Sequence, residues 1–128
     1  MSGEIEIEND KIIWKYENEN IVEINFDEIF MIGEYTIDSM SDDWFIVFVG
    51  KNGSWKRISM FANNTNELLN FLSEKFSVEV GQTQLANSTK WNSVISYPKL
   101  LRGKKLFRLA GKKIELEKDA EEFIAAFH

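Results

Sequence analysis

The residues with chemistry to offer are oxygen donors and amines, because the chain has no cysteine and its one histidine, His128, is the last residue. Without a thiol there is no disulfide framework, no thiolate nucleophile and no Cys-ligated zinc or iron–sulfur centre. A Ser-His-Asp relay would need His128 to fold back into a cleft from the chain end, which terminal residues rarely do. Asp38-Ser39-Met40-Ser41-Asp42-Asp43 gathers three carboxylates and two hydroxyls, enough oxygen for a hard cation. It lacks the glycine and the closing glutamate of an EF-hand loop, so an acidic connection is the plainer reading. Gly103-Lys104-Lys105 and Gly111-Lys112-Lys113 each set a glycine before two lysines, but neither has the upstream glycine or the following Ser/Thr of a P-loop. Solvated hairpin ends account for both. Carboxylate pairs for acid–base work can be drawn anywhere among 21 acids, and no spacing singles one out. The chain reads as non-enzymatic, with no metal and no cofactor.

Charge is the unusual feature. The net charge is −6, yet residues 1–43 carry thirteen acids against two bases, Lys11 and Lys15. Residues 80–114 carry no acid and eight bases: Lys90, Lys99, Arg102, Lys104, Lys105, Arg108, Lys112 and Lys113. Either the two segments lie side by side and neutralise each other, or they occupy separate faces and attract partners of opposite sign. Trp91, Tyr97 and Phe107 interleave with the bases and could stack on nucleobases. A sequence pI of 4.9 argues against a nucleic-acid partner, because the overall field repels a polyanion.

A two-residue turn at Asn9-Asp10 pairs Ile7 with Ile12 and Ile5 with Trp14 on one face, and sets Glu8 opposite Lys11 and Glu4 opposite Lys15. Val22, Ile24 and Phe26 continue that face in a third strand. Keeping Trp14 and Ile24 together there requires an odd number of loop residues, which favours a bulged turn with Asn18 or Asn20 in the left-handed region. Asp27 to Ile37 reads as a fourth strand, although Asp27 could instead cap a short helical turn. Trp44 to Phe61 is a hairpin about Asn52-Gly53, with Val47 opposite Ile58 and Phe45 opposite Met60. Its other face then holds Trp44, Ile46, Phe48, Trp55, Arg57 and Phe61. A hairpin apolar on both sides is either covered on each face or exposes an aromatic patch.

Leu68, Leu69, Leu72 and Phe76 recur at helical period after Asn64, with Glu67 in capping-box spacing, predicting a helix over 65–76 that covers the hairpin. Val78–Val80 reads as a short strand, 81–90 as a loop, and Trp91 to Leu101 is ambiguous because Pro98 favours an extended Tyr97. Lys105–Leu109 and Lys112–Leu116 form a hairpin about Ala110-Gly111 with Phe107 facing Ile114. Asp119 and Glu122 cap a terminal helix near 118–127.

The fold class is therefore α+β: a single domain built on a mainly antiparallel, bent sheet of about six to eight strands, with helices near 65–76 and 118–127. Over residues 4–61 and 105–127 the element order resembles the pleckstrin-homology-like fold, a bent sheet plugged by a C-terminal helix. The helix at 65–76 departs from that fold, and no binding residues carry over from it.

The longest apolar stretch, Trp44 to Val49, is far short of the roughly 20 residues that cross a bilayer. Met1–Asp10 is acidic and alternating where a secretory signal is basic and then apolar. A cytoplasmic location and no membrane span are expected. The expected function is binding another protein, with Trp44, Trp55 and Phe61 as apolar anchors and Asp38, Asp42 and Asp43 as rim charges. In size and acidity the chain is similar to immunity proteins, which implies a basic toxin or nuclease as partner. The alternative is a binder of an anionic small ligand or phospholipid headgroup through Lys99, Arg102, Lys104, Lys105 and Arg108, which requires those side chains to converge.

Overall fold

The first hairpin forms in the expected register. In a computed structural model that describes residues 3–36, 44–80 and 92–126, β1 (Glu4–Ile7) and β2 (Lys11–Tyr16) pair Ile5 with Trp14 and Ile7 with Ile12. The cross-strand charges choose other partners: Lys15 binds Glu6 at 2.9 Å and Lys11 binds Glu23 at 3.3 Å, rather than Glu4 and Glu8. β3 (Glu19–Asn25) follows a two-residue turn in which Glu17 and Asn18 both have positive φ. The bulge needed to keep Trp14 and Ile24 on one face lies in the strand instead of the turn. The register shifts between Trp14 and Lys15, leaving Ile21 unpaired and exposed.

Both readings of the next segment hold in part. A single 3-10 turn, Phe26–Glu28, precedes β4 (Met31–Thr36). β4 is central in a four-stranded antiparallel sheet, flanked by β5 (Trp44–Val49) and β7 (Asn92–Tyr97), with β6 (Trp55–Ser59) outside β5. β7 resolves the ambiguous stretch; a cis Tyr97–Pro98 bond and a 3-10 turn, Lys99–Leu101, follow it.

The β5–β6 register differs from the expectation by one residue. Ile58 pairs with Ile46 and Arg57 with Val47, because Gly50 and Ser54 close a three-residue loop. Gly53 takes its left-handed position at φ 84°. A one-residue slip exchanges faces. Ile46, Phe48 and Ile58 therefore share one side of the sheet, while Val47, Val49 and Trp55 share the other.

The first side is covered by α1 (Thr65–Phe76), whose Leu68 and Leu72 are fully buried in one cluster with Ile46, Phe48, Ile58 and Ile5, Ile12 and Ile24 of β1 to β3. Each buried leucine contributes about 1.5–3 kcal/mol in transfer terms. The capping box does not form. Asn64 adopts a left-handed conformation, and its side-chain amide donates to the Ile5 carbonyl instead. Val78–Val80 is not a strand; the backbone N–H of Val80 is held by the Ser73 hydroxyl.

The second side packs against β8 (Phe107–Ala110), β9 (Lys113–Leu116) and α2 (Lys118–Ala125). Phe107 opposes Leu116, two residues from the expected Ile114, a slip that keeps the same faces. α2 is capped by Glu117, whose carboxylate accepts from the Lys118 N–H, rather than by Asp119. The hydroxyl of Ser93, fully buried, accepts from the N–H groups of Leu106 at 3.2 Å and Phe107 at 3.0 Å. Among the described residues, nine strands in antiparallel sheets and two helices make this an α+β protein.

Candidate functional site

Three of the described bases at 99–113, Arg102, Lys104 and Arg108, are paired with acids near them. Arg102 binds the carbonyl of Glu79 at 2.7 Å and its carboxylate at 3.5 Å, and Lys104 lies 3.4 Å from Asp119. Arg108 reaches Glu115, Glu117 and Glu121 at 3.4, 3.8 and 3.1 Å, and Lys105 donates to the Asn92 side chain. Lys99 stands exposed on the 3-10 turn. Of these five residues, expected to converge on an anion, four are instead held by different local partners.

Among the described residues, none of the bases at 99–113 forms an ion pair with an acid of residues 3–36. That early stretch contains ten acids and two bases and so keeps its negative excess. Its two lysines register the surplus. Lys11 is raised above the ordinary 10.5 chiefly by its bond to Glu23, with Glu8 and Asp10 adding attraction. Lys15 is raised chiefly by its bond to Glu6, against an opposing effect of burial, with smaller attractions from the Glu6, Glu4 and Glu8 charges.

Two grooves open on this acidic side. One, of about 410 Å³, is lined by Ile5, Glu6, Ile7, Glu8, Asn64 and Glu67. It exists because the chain before α1 lies along the outer edge of β1: the Ile5 N–H donates to Asn63 at 3.0 Å and the Asn63 N–H to Gly3 at 2.9 Å. That contact sets Glu67, on the first turn of α1, beside the glutamates of β1. The second groove, of about 600 Å³, is lined by Asn9, Asp10, Asn25, Phe26, Asp27, Glu28, Lys75 and Phe76. Its wall is fixed by the Phe26 N–H donating to Asp10 at 3.0 Å, and by Lys75 standing 5.1 Å over the Phe26 ring. Ile5 and Ile7 in the first groove, and the Phe26 and Phe76 rings in the more polar second one, lie among carboxylates and suit a cationic partner with alkyl or aromatic surface.

The three expected anchors are not one patch. Trp44 and Phe61 meet edge to face at 6.2 Å, and the Trp44 indole N–H donates to the buried Glu34 carboxylate at 2.7 Å. Phe61 is half exposed, with 52% of its surface accessible. Trp55 lies on the opposite side of the sheet, packed on Phe107 at 4.8 Å. Asp38, Asp42 and Asp43 fall outside the described residues, as does the 81–90 loop.

Two groups escape the sequence reading. Glu67 is offered there only as a capping residue, and its place beside Glu6 and Glu8 depends on a hydrogen bond spanning residues 5 and 64. Arg57 donates to the hydroxyl of Tyr35, a residue with no exposed surface, and stacks 4.3 Å over the Phe45 ring. The alternation of β5 and β6 could have found that pair, given the right register. No group of three or more acidic residues among those described is arranged to hold a metal ion, and no helix among them is long and apolar enough to cross a membrane. The chain matches no protein-family model, and no curated protein or solved structure is similar to it.

Proposed function

We propose that this chain is a non-enzymatic domain that binds another protein, and that the acidic side formed by β1, the Phe26–Glu28 turn and α1 receives a basic partner. The observation that carries this reading is the local pairing of three C-terminal bases. Arg102, Lys104 and Arg108 are held by Glu79, Asp119 and the glutamates around α2, which leaves the early carboxylates available to an outside cation. The two grooves supply the apolar area that charge alone lacks. Phe61 adds an exposed ring in the connection to α1. An immunity-type inhibitor of a basic toxin or nuclease, acting in the cytoplasm, is one form such a protein takes.

The test is capture from lysate at low and high salt, with the wild type beside the Glu8→Lys/Glu67→Lys variant. A basic protein held at low salt, released at high salt and lost by the variant supports the reading. Recovery of nucleic acid or lipid alone, or equal capture by the variant, overturns it.

A further inference from the structure

The chain has three arginines, and two of them, Arg102 and Arg108, are paired with carboxylates. Arg57 is different. It is exposed on β6, forms no ion pair with any described residue, and among those residues is held by two contacts, the Tyr35 hydroxyl and the Phe45 ring. A guanidinium carries five N–H donors, and Tyr35 takes one.

The side chain is set in place before any ligand arrives. The Tyr35 hydroxyl, fully buried, fixes one end of the guanidinium fork, and the Phe45 ring beneath fixes its plane. Tyr35 is itself immobilised, stacked on Phe45 at 5.2 Å and met edge-on by Phe107 at 5.4 Å and Trp55 at 6.3 Å. The entropy normally lost when a long side chain is ordered on binding is largely absorbed by folding. Around the guanidinium, Phe45 and Trp55 are only partly covered, which makes a small aromatic rim. Arginine, tyrosine and tryptophan in one cluster are the residue types that dominate binding energy at interfaces.

We propose that Arg57, with the Phe45 and Trp55 rings beside it, is a binding site for a single carboxylate presented by an acidic peptide segment. This surface is separate from the acidic grooves and does not depend on the function proposed for them. Carboxylate is favoured over phosphate by the charge count. On this face β4 contributes Met31, Gly33 and Tyr35, β5 contributes Phe45, Val47 and Val49, and β6 contributes Trp55, Arg57 and Ser59. Arg57 is the one cation among them, and one guanidinium matches a monoanion held by two parallel N–H···O bonds.

The test is an NMR titration of the full chain with a blocked peptide carrying one central glutamate, with its glutamine counterpart, and with inorganic phosphate. The glutamate peptide is expected to shift the side-chain N–H signals of Arg57 and Trp55, and the glutamine peptide to leave them in place. Arg57→Lys keeps the charge and a donor for Tyr35, so the fold persists, and affinity falls roughly ten-fold because the fork is gone. Equal shifts from both peptides, unchanged affinity in Arg57→Lys, no shift at millimolar peptide, or tighter binding of phosphate than of the glutamate peptide would each overturn the assignment.

Discussion

The guanidinium of Arg108 lies 3.1 Å from the carboxylate of Glu121, and that contact ties β8 to α2. The same guanidinium also reaches Glu115 on β9 and Glu117 at the cap of α2. One residue of the basic segment thus absorbs three acids of the C-terminal end. All the partners are substantially solvated, so the cluster contributes on the order of 1 kcal/mol and is screened by salt. Arg108→Gln is expected to lower unfolding free energy by about 1 kcal/mol at low salt and by less at high salt. Chemical denaturation at the two ionic strengths checks this. A loss that does not shrink with salt would show that the arginine acts through packing rather than charge.

The two lysines of the N-terminal sheet hold their protons more tightly in the folded chain than the ordinary 10.5. A raised folded-state value means that the stabilisation is complete below 10.5 and is lost as pH climbs through the folded-state value. Melting temperature is therefore expected to fall in the alkaline range above 10.5. Lys15→Met, which removes the titrating group while keeping its apolar stem, is expected to show a shallower alkaline fall from a lower starting point. Parallel curves for the two proteins would exclude the Lys15–Glu6 pair as a cause.

How much was legible depended on whether a turn was fixed by its own residues. Asn9-Asp10 sits between strands whose isoleucines and charges agree on one register, so β1 and β2 could be aligned in advance. Asn52-Gly53 also makes its turn, but the Asn52 side chain accepts from the N–H and hydroxyl of Ser54, which draws Gly50 and Ser54 into a longer loop. Nothing in the alternation of β5 revealed that, because both of its faces are apolar and a one-residue slip costs the pattern nothing. The hidden Arg57–Tyr35 contact follows directly, since the expected register put Arg57 on the side of Trp44. α1 was visible from its leucines, whereas its N-terminus was not. Asn64 had a better hydrogen-bond partner in Ile5, almost the whole length of the N-terminal half away.

A buried hydroxyl with two donors aimed at it makes a sharp stability test. Ser93→Ala strands the N–H groups of Leu106 and Phe107 in a site without accessible surface, and each unsatisfied group costs about 1–3 kcal/mol. Gly33→Ala acts on the same contact from the other strand. A Cβ there would lie 2.6 Å from Leu106 Cδ2 and 2.8 Å from the Val94 carbonyl oxygen. The backbone cannot yield as a side chain does, so a loss of about 1–3 kcal/mol is expected. Denaturation midpoints measure both, and a Gly33→Ala protein as stable as the wild type would mean that β7 is free to move away from β4.

Trp44 and Phe61 touch, yet they should separate cleanly by readout. Trp44→Phe removes the N–H that Glu34 accepts at 2.7 Å, and an intramolecular hydrogen bond contributes about 0.5–1.5 kcal/mol net, so this change destabilises the fold. Phe61→Ser removes a ring half in solvent and is expected to alter stability by no more than about 0.5 kcal/mol. If Phe61 is an anchor for a partner, its loss weakens capture of that partner while the melting curve stays in place. A Phe61→Ser protein that melts early and binds normally would assign the ring to packing against Trp44.

The acidic side makes the strongest demand on rates. Glu8 and Glu67 come from different elements and line one groove, so reversing both changes the local charge by four units without touching the buried isoleucines. Attraction between exposed charges acts mainly on encounter, and steering of this kind changes association by factors of ten or more at low salt. Glu8→Lys/Glu67→Lys is therefore expected to slow association with a captured basic partner by on the order of ten-fold at low salt, with little change in dissociation. At high salt the two proteins should converge. Lys99→Glu, on the 3-10 turn after β7, is the control, because Lys99 lines neither groove and its reversal should leave association nearly unchanged. If it slowed association as much as the groove reversals do, the partner would be reading the basic segment, and the surplus of early carboxylates would have no part in recognition.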